Sequence, residues 1–252
     1  MLVSARVKLV WAGRQLKKAQ RISNRFLKTD FYTVAEENDG KERLFARVTE
    51  VRPMPNELAL YIGDAVHNMR SALDHVAFAF AKPADPIKNQ VAFPTNSVPG
   101  EFRDGLKRRL PGVTPEVLAL FEKYQPYNNG KIPETNLLAG LTSLNNWDKH
   151  KTLAITWAGI DYLESEFRTI GHVEILETDL HQGKLEVGTI LANLKIGERA
   201  PGSKVQMHVR PRLFPIFDER MPDVGGKPVF ETLVDTGEFI FETIVPDFER
   251  LL

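Results

Sequence analysis

The 252-residue sequence contains no cysteine, which excludes disulfide bonds, zinc sites built on thiolates and cysteine nucleophiles. It also lacks any apolar run that approaches the ~18 residues of a membrane span. The first 30 residues hold no continuous apolar stretch, because Arg6, Lys8 and Arg14 interrupt it. We therefore expect no signal peptide, a cytoplasmic location and no membrane partner. No glycine-rich phosphate loop, GxSxG turn or dinucleotide fingerprint is present, and we expect no cofactor.

The sequence has no net charge, since 33 basic and 33 acidic residues cancel. No global field therefore attracts nucleic acid or an anionic surface, and electrostatic recognition must come from local patches. Residues 4–28 have helical spacing and no acid, which fits either a solvated helix face or a phosphate-binding surface. Residues 229–252 are rich in acid, so the two ends could also pair. The basic residues of the first segment are Arg6, Lys8, Arg14, Lys17, Lys18, Arg21, Arg25 and Lys28, and a second basic run holds Arg103, Lys107, Arg108 and Arg109.

The first two thirds of the chain are predicted to be mainly helical. A hairpin is expected at about 32–51, because two β-rich runs flank Asn38-Asp39-Gly40. Asn56 is a good N-cap for a long helix over about 57–81, which ends before Pro83. Further helices are predicted at 101–110, 114–124 and 133–151.

After residue 152 the apolar period changes from helical to alternating. This pattern predicts an antiparallel β-sheet over about 152–230 with one solvated face, closed by a C-terminal helix from about 236. The expected fold is α+β, a helical bundle around the 57–81 helix with the hairpin and the sheet. We place one boundary between a mainly helical domain, 1–151, and a strand-rich part, 152–252, packed with it as one unit.

The stretch GDAVHNMRSALDH, residues 63–75, carries two patterns on one helix. At 100° per residue, an apolar line predicts a core-facing seam. That line holds Ile62, Val66, Met69, Leu73, Val76 and Phe80. The opposite face is polar, with Arg70 at its border and Ala65, Ala72 and Ala79 along the other flank. The polar face holds Asp64, His67, Asn68, Ser71, Asp74 and His75.

The residue types on this polar face favour a site over a solvated surface. A solvated face is typically built from Lys, Glu and Gln, which are good helix formers. Short His, Asp, Asn and Ser side chains are poorer helix formers but hold their geometry better. The alternative is an internal hydrogen-bonded network that fixes helix packing.

The helix at 133–151 is predicted to contribute to the same site. Its apolar line continues into Asn145 and Asp148 after four leucines, Leu137, Leu138, Leu141 and Leu144. Buried amide and carboxylate groups need partners. We therefore expect Asn145 or Asp148 within hydrogen-bond reach of Arg70, His67 or His75.

Several separated motifs resemble those of a widespread family of uncharacterised bacterial proteins. They are YIGDAVHNMRSALDHVAFAF, then FP, then LPGVTPEVLALFEKYQPY, then LNNWDKHKTL, over roughly residues 50–155. This resemblance implies no activity.

A second resemblance is chemical. Arg70-Ser-Ala-Leu-Asp-His75 is similar to the Arg-x4-His motif of the HEPN superfamily, which includes ribonucleases that cleave RNA without a metal. The resemblance implies that Arg70 stabilises charge on the scissile phosphate and that His75 transfers protons. Two protomers commonly combine their motifs in that superfamily. Ser71 departs from the usual Asn, Asp or His, and the strands are additions to an all-helical domain.

The sequence therefore predicts an HEPN-like RNA-binding protein, and the resemblance implies metal-independent RNA cleavage through Arg70 and His75 as its activity. Asp64, His67, Asn68, Ser71, Asp74, Asn145 and Asp148 are the expected supporting residues. A homodimer is a hypothesis that rests on the HEPN resemblance and on the alanine flank. One rival is a metal-dependent hydrolase whose ligands would be Asp64, His67, His75 and Asp148. The other is a binding or structural module without catalysis.

Overall fold

The computed structural model describes the chain except residues 1, 40–41, 83, 85–89, 133, 154 and 182, and only the backbone of 158–165. Two expected features therefore lie partly outside the described residues. These are the hairpin turn at Gly40 and the start of a helix at Pro133.

The fold is α+β, as the sequence predicts. Each helix expected from the apolar spacing is present, with ends shifted by a few residues. The helices are α1 (Val3–Phe26), α2 (Asn56–Phe80), α3 (Pro99–Arg109), α4 (Pro115–Lys123), α5 (Thr135–Asp148), α6 (Val229–Glu238) and α7 (Val245–Glu249). A π-helical segment, Phe239–Ile244, joins the last two, and a short 3₁₀ turn spans Pro126–Asn128.

The strands form two sheets. They are β1 (Tyr32–Asn38), β2 (Arg43–Val51), β3 (Ile155–Ile170), β4 (Val173–Leu180), β5 (Gly183–Lys184), β6 (Ile190–Arg199) and β7 (Lys204–Phe217). One sheet has the order β1-β2-β6-β4, with each neighbouring pair antiparallel, and the other has the order β5-β3-β7. Since β6 lies between β2 and β4, the strands do not follow one another as a simple meander.

The chain divides into two compact units. The first comprises 1–22, 56–154 and 217–252, and the second comprises 23–55 and 155–216. A single boundary after 151 was expected, but the hairpin groups with the later strands because β2 pairs antiparallel with β6 from Arg43 to Arg47, with a register shift after Ala46. The C-terminal helices group with the earlier ones because their apolar side chains pack there.

The strands end earlier than expected and the C-terminal helix begins earlier. Strand β7 stops at Phe217, not near 230, and α6 starts at Val229, not at 236. Pro228 immediately precedes α6, and the apolar positions that follow it have helical spacing. Buried Val229, Leu233 and Ile240 carry that spacing from α6 into the π-helical segment.

The first unit is built on the apolar seam of α2. Ile62, Val66, Met69, Leu73 and Val76 are all buried, as the 100° spacing predicts. Helix α5 packs against α2, and α6 packs against α5. The predicted polar face of α2 carries no buried residue.

An aromatic cluster ties the C-terminal helices to this unit. The Phe248 ring lies 4.6 Å from that of Phe121, 5.5 Å from that of Phe80 and 6.0 Å from that of Phe93, measured between centroids. Such tilted and edge-on arrangements are those that aromatic pairs prefer. Phe93 belongs to a segment without regular structure, residues 90–96, which the cluster holds against α2.

The second unit has its own apolar core. Trp157 on β3 stacks on Phe26 with ring centroids 5.6 Å apart, and both rings contact Phe31. Buried apolar residues of β6 and β7 complete that core.

In the described part of the chain, no helix combines the length and the apolar composition needed to cross a membrane.

Candidate functional site

Arg70, the residue expected to contact a phosphate, forms its hydrogen bonds with other groups of the protein. Its Nη2 atom donates to Asp74 Oδ1 at 2.8 Å and to the Phe93 carbonyl at 2.6 Å. Its Nη1 atom lies 3.5 Å from Thr95 Oγ1, at the limit of a hydrogen bond. The side chain is only 12% exposed. The guanidinium group therefore bridges two turns of α2 and the 93–95 segment.

Asp74 and Arg70 together bind both backbone polar groups of Phe93. The Oδ1 atom of Asp74 accepts the backbone N–H of Phe93 at 3.0 Å, while Arg70 binds the carbonyl of the same residue. Both backbone polar groups of Phe93 are thus satisfied by side chains one helical turn apart. Asp74 was expected to orient Arg70, and the structure shows that contact as an i,i+4 ion pair.

The residues after Phe93 are held in the same way by Gln125, which sequence reasoning missed. Its side chain is buried, with Nε2 donating to the Pro94 carbonyl at 2.9 Å and Oε1 accepting the Asn96 N–H at 2.9 Å. Thr142 of α5 donates to Thr95 at 2.8 Å. Residues 93–96 are therefore clamped by polar side chains from three places in the first unit. A glutamine that follows a helix and precedes a proline gives no sequence signal for that role.

The electrostatic environment of Arg70 reflects its burial. Burial lowers the pKa of Arg70 from its ordinary value, the charge of Asp74 raises it, and the nearby charge of Arg109 lowers it further. Arg109, at the end of α3, also donates to Asn96 Oδ1 at 3.2 Å. One residue of the second basic run is thus part of the clamp, while Arg103, Lys107 and Arg108 are exposed.

Asp148 lies directly beside the backbone of α2 at Gly63. A methyl group built on Gly63 would meet Asp148 Oδ1 at 2.6 Å and Oδ2 at 2.7 Å, so the absence of a side chain at 63 makes room for the carboxylate. This contact confirms that α2 and α5 are neighbours. Burial raises the pKa of Asp148, the charge of Asp64 raises it further, and that of His67 lowers it.

The hydrogen bonds expected between the two helices are not formed. Among the described residues, neither Asp148 nor Asn145 is hydrogen-bonded to Arg70, His67 or His75. Asn145 is buried, at 5% exposure, whereas His67 is exposed. The prediction was right about the adjacency and wrong about the bond, because Asp148 faces the backbone at Gly63 and Arg70 turns toward residues 93–95.

The remaining polar residues of α2 are not drawn into one cluster. Asn68 donates to the Asp64 carbonyl at 2.7 Å, one turn back in the same helix. Ser71 and His75 are half-buried, and their side chains form no hydrogen bond within the described residues. His75 therefore follows Asp74 in sequence but takes no part in its contacts.

The rival metal site is not assembled in the described part of the chain. No group of three or more His, Asp or Glu side chains there is arranged to hold a metal ion. The charges of Asp64 and His67 act on the pKa of Asp148 in opposite directions, but no hydrogen bond links the three side chains within the described residues.

The exposed side of α1 carries an open cluster of positive charge. We call the side chains of Arg14, Lys17, Lys18 and Arg21 the α1 basic face, and all four are exposed. No salt bridge reaches any of them from the residues that the structure describes. The expected pairing of the two chain ends occurs elsewhere on α1, where Arg6 Nη2 lies 2.8 Å from Glu249 Oε2.

Comparison with known proteins does not assign the chain to a family. No family model, no curated protein and no solved structure matches the chain.

Proposed function

We propose that the chain is an RNA-binding protein whose contacts come from the α1 basic face. The observation that carries the proposal is the exposure of Arg14, Lys17, Lys18 and Arg21 on one side of a helix, without acidic partners among the described residues. At 100° per residue the four positions fall within an arc of about 100°. They therefore form one surface.

The energetics of that surface favour a polyanion as its partner. Like charges three and four residues apart repel one another along a helix, which costs a few tenths of a kcal/mol per pair. A chain of phosphates removes that repulsion and releases its own counterions on binding. Since the whole chain has no net charge, attraction of this kind is confined to the local surface.

The proposal gives the Arg70–Asp74 pair a structural role. A phosphate-binding arginine needs a free guanidinium face, whereas the Nη2 atom of Arg70 already has two acceptors and its side chain is nearly buried. The contacts favour the hydrogen-bonded network that was the alternative to a catalytic site.

Binding is tested with a fluorescein-labelled RNA hairpin and a labelled 12-nucleotide oligouridylate at low salt. We expect fluorescence anisotropy to show binding of at least one of them by the wild type. Lys17→Glu/Arg21→Glu should weaken that binding at least tenfold, because it reverses two of the four charges. Lys131→Glu is the control, since Lys131 is exposed but lies outside α1. The proposal is contradicted if neither RNA binds, or if the control weakens binding as much as the α1 variant.

A metal-independent endoribonuclease that uses Arg70 and His75 is the second candidate. Its favourable observation is that the imidazole of His75 is half-buried and takes part in no hydrogen bond within the described residues. Histidine is the side chain that most often transfers protons in catalysis, and an imidazole without a hydrogen-bond partner in the protein can contact a substrate. Incubation of the two RNAs in EDTA should then give cleavage products with the wild type and none with His75→Ala. Absence of cleavage by the wild type would remove this candidate and leave the binding proposal intact.

A further inference from the structure

Trp11 is an exposed aromatic residue immediately next to the α1 basic face. It is 45% exposed, whereas Trp157 is buried in the second unit. The guanidinium carbon of Arg14 lies 5.8 Å from the centroid of the Trp11 ring, within the range of a cation–π contact. The indole remains largely open to solvent beside this contact.

A second aromatic and basic pair lies farther along the same side of α1. The ammonium nitrogen of Lys18 is 5.3 Å from the ring centroid of Tyr61, a half-buried residue of α2. Trp11 and Lys18 are seven residues apart, so they project from α1 within about 20° of each other and about 10 Å apart along its axis. Each of the two aromatic rings therefore has a positive charge beside it on the same side of α1.

This combination of rings and positive charges matches the needs of single-stranded nucleic acid. Proteins that bind single strands combine a positive surface for the backbone with aromatic rings on which unpaired bases stack. In an RNA duplex the base faces are hidden by pairing and stacking, so an aromatic ring gains nothing from them. Positive charge alone would attract either form, whereas an exposed indole favours the single strand.

We infer that Trp11 is a base-stacking residue and that the α1 basic face is selective for single-stranded RNA. The inference rests on the proposed RNA binding and deepens it. Val7 and Val10, also exposed on this helix, make a protein partner the competing occupant of the surface. The charges of Arg14 and Lys18 beside the rings favour the nucleic acid.

The test compares a labelled 12-nucleotide oligouridylate with a blunt 12-base-pair RNA duplex of mixed sequence. Trp11→Ala should weaken binding of the single strand by between about fivefold and about 150-fold, the range that loss of one stacked base corresponds to. Binding of the duplex should change less than twofold. Trp11→Phe should retain most of the affinity because it keeps a ring, and Trp147→Phe is the matched control on a half-buried tryptophan.

The outcomes separate this inference from the proposed function. If Lys17→Glu/Arg21→Glu weakens binding but Trp11→Ala does not, the stacking inference is wrong and RNA binding stands. If neither RNA binds the wild type, both are wrong. If the Trp11→Ala protein binds RNA as well as the wild type but sediments more slowly, the substitution has broken a protein–protein contact. The ring then lies in a protein interface, and the inference is overturned.

Discussion

The carboxylate of Asp74 and the guanidinium of Arg70 meet at 2.8 Å on successive turns of α2, and each also binds the backbone of Phe93. A helix pair that needed only to neutralise its own charges would point into solvent. Here both side chains turn toward a segment without regular structure and supply the hydrogen bonds that a helix or a sheet would otherwise provide.

Removal of Arg70 should therefore cost stability. Arg70→Ala leaves the carbonyl of Phe93 and the carboxylate of Asp74 without their shared donor. We expect the free energy of unfolding to fall by about 2–3 kcal/mol, less than the 3–5 kcal/mol of a fully buried pair, because Asp74 is 35% exposed. Urea denaturation followed by circular dichroism measures it.

Arg70→Lys is the informative companion to that variant. Lysine keeps the charge but lacks the planar fork that reaches Asp74 and Phe93 together, so it should recover less than half of the loss. If the free energy of unfolding is unchanged in both variants, the structural role is contradicted. The phosphate contact that the Arg-x4-His pattern implies would then be the better account of Arg70.

Gly63 and Asp148 should be coupled in stability. Alanine is better than glycine in a helix interior by about 0.5–1 kcal/mol. In the wild type that gain should be cancelled or reversed, because the new methyl group would meet the Asp148 carboxylate. In an Asp148→Ala background, Gly63→Ala should stabilise by the full amount. A double-mutant cycle measures the coupling, and additive effects would mean that the two residues do not touch.

The ion pair between Arg6 and Glu249 should make the free energy of unfolding depend on pH in the acid range. The hydrogen bond from Arg6 lowers the pKa of Glu249 to about 2 from its usual 4.5, with burial opposing and the backbone N–H of Leu2 assisting. Because the folded state lowers this pKa, the stabilisation is fully present above the unfolded value of 4.5. It is lost as the pH falls toward 2.

The measurement is the free energy of unfolding as a function of pH. Glu249→Gln should be less stable than the wild type at pH 7, and the difference should shrink between pH 4.5 and pH 2, the interval that this pKa shift defines. Glu231→Gln, a substitution of an exposed residue of α6, is the control for the loss of one carboxylate. A difference that stays constant over the interval would show that the loss arises from something other than the ion pair.

The sequence predicted the parts of the fold that depend on periodicity. The seam of α2 and its contact with α5 follow from apolar spacing, and both are present. The clamp on residues 93–96 could not be predicted in this way, because Arg70, Asp74 and Gln125 act on backbone groups of a segment that has no period. The pairing of β2 with β6 joins residues about 150 positions apart, and local pattern cannot specify such a partner.

The polar face of α2 was only partly predictable as a site. Short polar residues did indicate fixed geometry, but the geometry of Arg70 and Asp74 serves a neighbouring segment. His75 lies outside the Arg70–Asp74 contacts. The charge of α1 was visible in the sequence, whereas only the structure separates Arg6, which pairs with Glu249, from the exposed residues of the α1 basic face.

The salt dependence of RNA binding tests the central claim most directly. The logarithm of the association constant for the oligouridylate is measured against the logarithm of salt concentration. The wild type is compared with a variant in which Arg14, Lys17, Lys18 and Arg21 are replaced by glutamine, which keeps the helix. For a single strand each phosphate contact contributes about 0.7 to the slope, so loss of four contacts should reduce its magnitude by about 3. An equal slope in the two proteins would contradict the claim that the α1 basic face binds RNA.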